Sequence, residues 1–259
     1  MYTYNTSLIS PYCDNGYYLS SKFCFNYIQE VAGRREMNMK TGIPHLLREN
    51  MSWVFLSTHV DIYKKPYWMT PLKLVTTGYH PEGIIVKRRV KCTDDKDDLI
   101  FKSDSYFAVV SADGNKHHII NPSVVTDRNT DADPLEVAPD DFYPRFKKFN
   151  AANLHRISMK KYEILQSDCD INGHVNNLRY SAVMIDNLPG EDFSKGMDVC
   201  SMDILFSSEM HYGDIAEISV YIDKTSFDSS HPIYYASFDN CSFAKIQLGV
   251  IPKGETNLW

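Results

Sequence analysis

A short polar segment in the second half of the chain concentrates side chains that can carry out acid–base chemistry. It runs from Asp168 to Asn177 and contains two aspartates, three asparagines and one histidine. Asp170, Asn172 and His174 alternate along it, so an extended backbone would project all three side chains in the same direction. Carboxylate, amide and imidazole groups held together in this way predict a hydrolytic site.

An amphipathic helix is predicted directly after this segment, from about Asn176 to Leu188, and Pro189-Gly190 would end it. The start of a helix presents free backbone N–H groups and a partial positive charge. A carbonyl group placed there would be polarised as negative charge develops on its oxygen. The same helix end disfavours a charged imidazole, so we expect His174 to be neutral and able to accept a proton.

Two other interpretations of the segment compete with a hydrolytic site. Aspartate and asparagine favour turns and helix starts, so the segment could be a solvated turn that caps the helix. It also matches the opening of a calcium-binding loop, which requires a glutamate at its twelfth position. That position is Arg179, a cation, so the calcium interpretation is disfavoured.

The rest of the chain divides into two similar halves, each with one amphipathic helix and a series of strand-like runs. The first helix is predicted from Ser20 or Ser21 to about Met39. Strands are predicted at residues 53–63, 72–79, 84–91, 99–111, 154–165, 199–206, 215–223, 233–238 and 243–250, with a hairpin turn at Asp113-Gly114. This plan predicts an α+β double hotdog, in which each half wraps an antiparallel sheet around a central helix.

The halves are joined by a stretch rich in proline and acidic residues. We expect a substrate-binding hotdog over residues 1–122, a surface linker over 123–150 and a catalytic hotdog over 151–259. A faint internal register places Val60 on Met202, and on that register Tyr67 falls opposite Glu209. The first helix lacks a segment like Asp168–Asn177, so one active site per chain is expected.

The polar segment resembles a family signature. Asp170-x-Asn172-x-His174-Val175-Asn176-Asn177 with Tyr180 is similar to the D-x-N-x-H-V-N-N-x-x-Y motif of acyl-acyl carrier protein (acyl-ACP) thioesterases. Phe206-Ser207-Ser208-Glu209-Met210 is similar to that family's Y-R-R-E-C segment, and Met51-Ser52-Trp53-Val54 resembles a segment of its first hotdog. Met210 stands where the family has a cysteine, and a thioether cannot serve as a nucleophile. Ser207 and Ser208 replace two arginines.

The resemblance implies that Asp170, Asn172, His174 and Glu209 form the catalytic network. It implies hydrolysis of fatty acyl-ACP by activated water, with acyl carrier protein and a fatty acyl chain as partners. No metal or bound cofactor is implied, because the substrate itself carries phosphopantetheine. An acyl-CoA thioesterase, a non-catalytic acyl-binding hotdog module and a hotdog hydratase remain alternatives.

Composition narrows the functional classes. The 259 residues carry a net charge of −6, which argues against a general nucleic-acid binder. Apolar runs are too short for a membrane span, and the six cysteines form no C-x-x-C pair, which is typical of a cytoplasmic protein. Three basic clusters are candidates for docking an acidic carrier protein: residues 87–91, 145–148 and 156–161. A homodimer is left open.

Overall fold

The computed structural model describes residues 1–113, 116–127, 135–226 and 229–256. Within these ranges, eleven strands form one antiparallel sheet that is accompanied by five α-helices. The strands are β1 (Tyr2–Ser7), β2 (Met51–Ile62), β3 (Pro71–Gly78), β4 (Val86–Thr93), β5 (Leu99–Asp113), β6 (Lys116–Ile120), β7 (His155–Glu163), β8 (Asp198–Phe206), β9 (Ile215–Ile222), β10 (Ile233–Phe238) and β11 (Ser242–Gly249). The helices are α1 (Cys24–Asn38), α2 (Ile43–Leu46), α3 (Ser123–Thr126), α4 (Asn177–Asp186) and α5 (Gly190–Ser194).

The two halves repeat one topology. The strand order is β1-β3-β4-β5-β2 in the first half and β7-β9-β10-β11-β8 in the second, with β6 added on β5. A long helix separates the first two strands of each half, α1 in one and α4 in the other. The predicted double hotdog is therefore confirmed. Among the described helices, none is long and apolar enough to cross a membrane.

The halves meet where β2 pairs with β8, which makes the two sheets continuous. Val60 lies opposite Met202 at this junction. Beside this pair, His59 Nδ1 lies 2.9 Å from Asp203 Oδ1, and its Nε2 lies 3.1 Å from Asp61 Oδ1. The contacts of His59 with the two aspartates therefore lie at the junction of the two repeats.

Both long helices contribute to one apolar core. Ile28 and Val31 of α1 are buried in the same cluster as Val183 and Met184 of α4. Ile28 and Val31 are three residues apart and share the α1 face that the sequence predicted, and Ile185 of the predicted α4 face is buried beside Val183 and Met184. The core is continuous across the junction, so each half depends on the other for part of its interior.

Tyr143 and Phe149 of the linker pack against the sheet, whereas Val125 at its start packs with Leu46, Met51 and Val109. The ring of Tyr143 stacks on His59 with centroids 3.3 Å apart, and Phe149 packs against Phe243 of β11. Linker residues 128–134 lie outside the described residues. The C-terminal segment crosses back to the first half, because Lys65 N donates to Pro252 O at 2.9 Å. The proposed domain boundaries stay a prediction.

Strand β1 was missed by the sequence analysis, which began the first half at its helix. β1 is an edge strand that pairs only with β3 among the described strands, and its side chains are partly exposed. The alternation of apolar and polar residues that would indicate a buried strand is therefore weak in β1. The hairpin expected at Asp113-Gly114 joins β5 to β6, although Gly114 itself lies outside the described residues.

Candidate active site

The polar segment folds as a closed turn, not as the extended stretch that the alternation suggested. Asp170 N donates to His174 O at 2.9 Å, and Gly173 N donates to Asp170 O at 3.0 Å. Gly173 has a φ of +77°, where a residue without Cβ is favoured. Asp170 Oδ1 accepts a hydrogen bond from Asn172 N at 2.8 Å. The turn therefore separates the directions of the three side chains.

A buried carboxylate anchors this turn. Asp168 is 2% exposed and accepts hydrogen bonds from Leu165 N and the Tyr162 hydroxyl, both at 2.9 Å. Arg179 Nε lies 2.6 Å from its other oxygen. Neither Asp168 nor Arg179 was predicted to belong to the site, and Arg179 served only to disfavour a calcium loop. Their pairing explains why a cation occupies the position at which a calcium loop needs an acid.

His174 and Glu209 lie in direct contact. His174 Nδ1 is 3.2 Å from Glu209 Oε2, and both side chains are accessible to solvent. The strand-like pairing of the turn with the Glu209 segment holds them together, because Val175 N donates to Met210 O at 2.8 Å. His211, which the sequence analysis overlooked, packs edge-on against the His174 ring at 4.9 Å. Met210 is buried, as its apolar side chain favours.

A cavity of about 500 Å³ opens beside the turn. Asp170, Asn172, Asn176 and Asn177 line one part of it, next to the N-terminus of α4. Most of the remaining wall is apolar and comes from the first half: Ile28, Ala32, Met37, Ile43, Pro44, Trp53, Phe55, Val86 and Phe107. The structure thus places Asp170 and Asn172 on the cavity, and the His174–Glu209 pair on the neighbouring side of the same turn.

The first half carries a copy of the turn that the sequence analysis did not detect. Asp14 N donates to Tyr18 O, and Gly16 N donates to Asp14 Oδ1, as in the turn at Asp170. Tyr17 has a φ of +66°, matching the conformation of Gly173. Leu19 N donates to a backbone oxygen of the chain segment after β2, as Val175 N does after β8. The two turns are therefore equivalent in backbone structure.

Lys65 occupies the position in the first half that Glu209 occupies in the second. Leu19 N bonds to Pro66 O and Val175 N bonds to Met210 O, so the preceding residues, Lys65 and Glu209, correspond. The expectation that Tyr67 lies opposite Glu209 is wrong, because Tyr67 pairs with Tyr18 as His211 pairs with His174. Lys65 and Glu209 each lie three residues after the end of their strand, at Ile62 and Phe206, so the register predicted from Val60 and Met202 is two residues short.

Lys65 joins charged groups of both halves. Its ammonium group lies 2.6 Å from Asp14 Oδ2 and 2.6 Å from Asp198 Oδ2, and the residue is 6% exposed. A buried lysine between two aspartates leaves no free acid–base pair at this second turn. The single active site expected per chain remains a prediction that this arrangement supports.

The two arginines of one basic cluster proposed for docking do not lie at the surface. Arg88 and Arg89 are both buried, Arg88 against Glu36 and Arg89 against Asp104. These two arginines are therefore unavailable to a carrier protein, and only Lys87 and Lys91 of the cluster remain accessible. Within the described parts of the chain, no three His, Cys, Asp or Glu side chains are grouped closely enough to hold a metal ion.

Comparison with known proteins matches each half of the chain to a domain of the acyl-ACP thioesterases. The family model of the acyl-ACP thioesterase N-terminal domain matches residues 13–127, and that of the C-terminal domain matches residues 151–247. An acyl-ACP thioesterase from Bacteroides thetaiotaomicron superposes with a TM-score of 0.74 at 18% identity, over 95% of this chain and 97% of its own. The 12:0-ACP thioesterase from Umbellularia californica gives 0.77 at 15% identity, over 95% and 93%.

A curated relative is longer than this chain. The chloroplastic oleoyl-acyl carrier protein thioesterase of Coriandrum sativum is 22% identical over 215 residues, which make up 74% of this chain and 54% of that protein. The chain therefore spans about half the length of this relative.

Proposed function

The chain belongs to the acyl-ACP thioesterase family, and we propose that it hydrolyses the thioester of a fatty acyl group carried on acyl carrier protein. The products are a free fatty acid and the carrier with its thiol. The observation that carries this proposal is a largely apolar cavity that ends at a turn bearing Asp170 and Asn172, with His174 of the same turn in contact with Glu209.

The cavity suits a fatty acyl chain. Its walls are mainly aliphatic and aromatic, and its polar lining is concentrated at the turn and at one inner wall. Burial of methylene groups against such walls is favourable by about 0.8 kcal/mol for each group. The thioester would lie at the polar mouth, where Asn172 and the N-terminus of α4 can polarise its carbonyl oxygen.

The His174–Glu209 pair suits proton transfer. Glu209 faces Nδ1 of the imidazole, so Nε2 is the nitrogen that remains to accept a proton from water. The hydroxide so formed adds to the carbonyl carbon, the carbon–sulfur bond breaks, and the proton passes to the leaving sulfur. Asp170, on the cavity side of the turn, orients the water. We propose no metal or bound cofactor for these steps.

The proposal extends to partners and location. We propose that the carrier protein presents the substrate through its phosphopantetheine arm, and that the protein acts in the cytoplasm. All six cysteines are free thiols, which supports a reducing compartment. The remaining basic clusters, at residues 145–148 and 156–161, are the candidates for contact with the acidic carrier.

Thiol release from acyl-ACP tests the proposed reaction. We expect the unaltered protein to release carrier thiol, and His174→Ala and Glu209→Gln to lower kcat by about 10²–10⁴-fold, the usual contribution of general-base catalysis. His155→Ala and Glu191→Gln are matched controls, because both side chains are exposed and lie away from the turn. Thermal unfolding of each variant verifies that the fold is retained.

The same assay distinguishes the alternatives. Hydrolysis of acyl-CoA with no activity on acyl-ACP would identify an acyl-CoA thioesterase. Binding of acyl-ACP without thiol release would indicate a binding module, and a new double bond without free thiol would indicate a hydratase. Full kcat in both site variants would contradict the assignment of His174 and Glu209.

A further inference from the structure

The acyl cavity has a charged inner wall. Glu36 of α1 and Arg88 of β4 line it, although they are only 8% and 5% exposed. Arg88 donates to the Glu36 carboxylate, and Arg35 Nη1 lies 2.6 Å from the same oxygen. The second guanidinium nitrogen of Arg88 donates to the Thr76 hydroxyl at 3.2 Å. Burial alone would raise the pKa of Glu36, but the charges of Arg88 and Arg35 outweigh it and lower the pKa.

A series of aromatic rings leads from the catalytic half to this wall. Phe206, three residues before Glu209, lies 5.2 Å from Phe55, and Phe55 stacks on Phe107 at 4.6 Å. The Arg88 guanidinium lies 5.9 Å from the Phe107 ring. Phe55, Phe107 and Arg88 all line the cavity. Two cavity-lining rings, Phe55 and Phe107, therefore lie between the catalytic half and the Glu36–Arg88 pair.

A second, small cavity of about 30 Å³ lies behind the Glu36–Arg88 pair. Glu36, Trp53, Val86 and Arg88 line both cavities, so these residues form the partition between them. The partition is held from behind by the Thr41 hydroxyl, which donates to Glu36. Movement of the Glu36 or Arg88 side chain out of the partition would join the small cavity to the large one.

We propose that the Glu36–Arg88 pair is the closed end of the acyl cavity and sets the longest acyl chain that the enzyme accepts. This proposal rests on the proposed function. An apolar chain gains from each methylene group that it places between aromatic and aliphatic walls. A methyl group pressed against the pair gains nothing comparable and disturbs its hydrogen bonds. The pair cannot give way, because separating two buried charges is strongly unfavourable.

The proposal predicts the shape of the chain-length profile. Each methylene group added in front of the pair should raise kcat/KM by up to about four-fold. The rise should stop, and kcat/KM should fall, at the length at which the terminal methyl group reaches Arg88. A panel of acyl-ACP substrates from 8 to 18 carbons, within the usual range of fatty acids, locates this length.

The double variant Glu36→Gln/Arg88→Met tests the role of the pair. It removes both charges together, so that neither is left unpaired against the other, it keeps an amide oxygen that can accept from Arg35, and it replaces the guanidinium in the partition with a flexible apolar side chain. We expect the profile to extend by at least two carbons, with kcat/KM for the first rejected chain length raised about ten-fold. Glu30→Gln/Arg34→Gln is the matched control, because it removes an exposed ion pair of 2.6 Å on the same helix. Its profile should not change.

Two further measurements keep the test decisive. Val86→Phe fills space beside the pair and should shorten the chain-length profile. If this variant shortens the profile but the double variant does not extend it, the role of the pair is overturned and the proposed function stands. A crystal structure of the unaltered protein with a bound fatty acid needs no variant to fold. The terminal methyl group should contact Arg88 or Glu36, and a chain that ends against another wall overturns the proposal. No thiol release from any acyl-ACP would instead refute the proposed function, and this role of the pair with it.

Discussion

His59 should make the stability of the fold depend on pH above neutrality. It lies at the junction of the two halves, 5% exposed, between the carboxylates of Asp203 and Asp61. Burial alone would lower the pKa of His59, but its hydrogen bonds to the two carboxylates outweigh this and raise the pKa to about 9. The unfolded chain has a histidine pKa of about 6.5. The folded protein therefore binds a proton more tightly than the unfolded chain does.

The sign and size of the effect follow from this difference. The stabilisation is fully present below about pH 6.5 and is lost as the pH rises towards 9, because the folded state then loses its advantage in proton binding. A difference of about 2.5 pKa units corresponds to about 3 kcal/mol in the free energy of unfolding.

Urea unfolding at several pH values between 6 and 9.5 measures this effect, with His59→Gln as the reference. Glutamine can still hydrogen-bond to Asp203 but does not titrate, so the difference in unfolding free energy between the two proteins isolates the contribution of His59. We expect that difference to shrink by about 3 kcal/mol across the range. A constant difference from pH 6 to pH 9.5 would refute the inference that His59 is held in its charged form.

Substitutions at Asp168, Lys65 and Gly173 test the two turns, and Gly83 serves as a control outside them. Asp168→Asn should lower stability by about 1–3 kcal/mol and also reduce kcat, because the anchor of the catalytic turn loses its charge-assisted hydrogen bonds; an unchanged melting temperature would contradict this. Lys65→Met should destabilise the protein by about 3–5 kcal/mol by leaving two aspartates without their cation, whereas Lys65→Arg should recover most of the loss in urea unfolding. Gly173→Ala and Gly83→Ala both place a side chain at positive φ and should each cost about 1–2 kcal/mol, but kcat should fall only for Gly173→Ala.

Much of the fold could be predicted because its signals are local. The apolar period of α4 and the alternation along the inner strands are set by neighbouring residues, so they are visible in the sequence. The contact between His174 and Glu209 followed from the family resemblance. The conformation of the turn did not, because the alternation of Asp170, Asn172 and His174 fits an extended strand as well as a turn closed by backbone hydrogen bonds.

The rest depends on contacts between distant residues. Arg88 and Arg89 look like part of a basic surface cluster, and only their partners, Glu36 and Asp104, show that both are buried. The correspondence of Lys65 with Glu209 also depends on contacts between residues that are distant in the sequence. Lys65 and Glu209 each lie three residues after the end of their strand, so the register that places Val60 on Met202 is two residues short, and only the backbone hydrogen bonds of the two turns show this.

The pairing of β2 with β8 makes each half depend on the other. At this junction, each repeat ends in a strand whose outer edge is hydrogen-bonded only by the other repeat. Alone, each would expose a row of unpaired amides and the apolar underside of its helix, a combination that promotes aggregation. The halves can therefore diverge in their turns and cavities, one towards chemistry and the other towards a structural lysine, only while β2 and β8 remain paired.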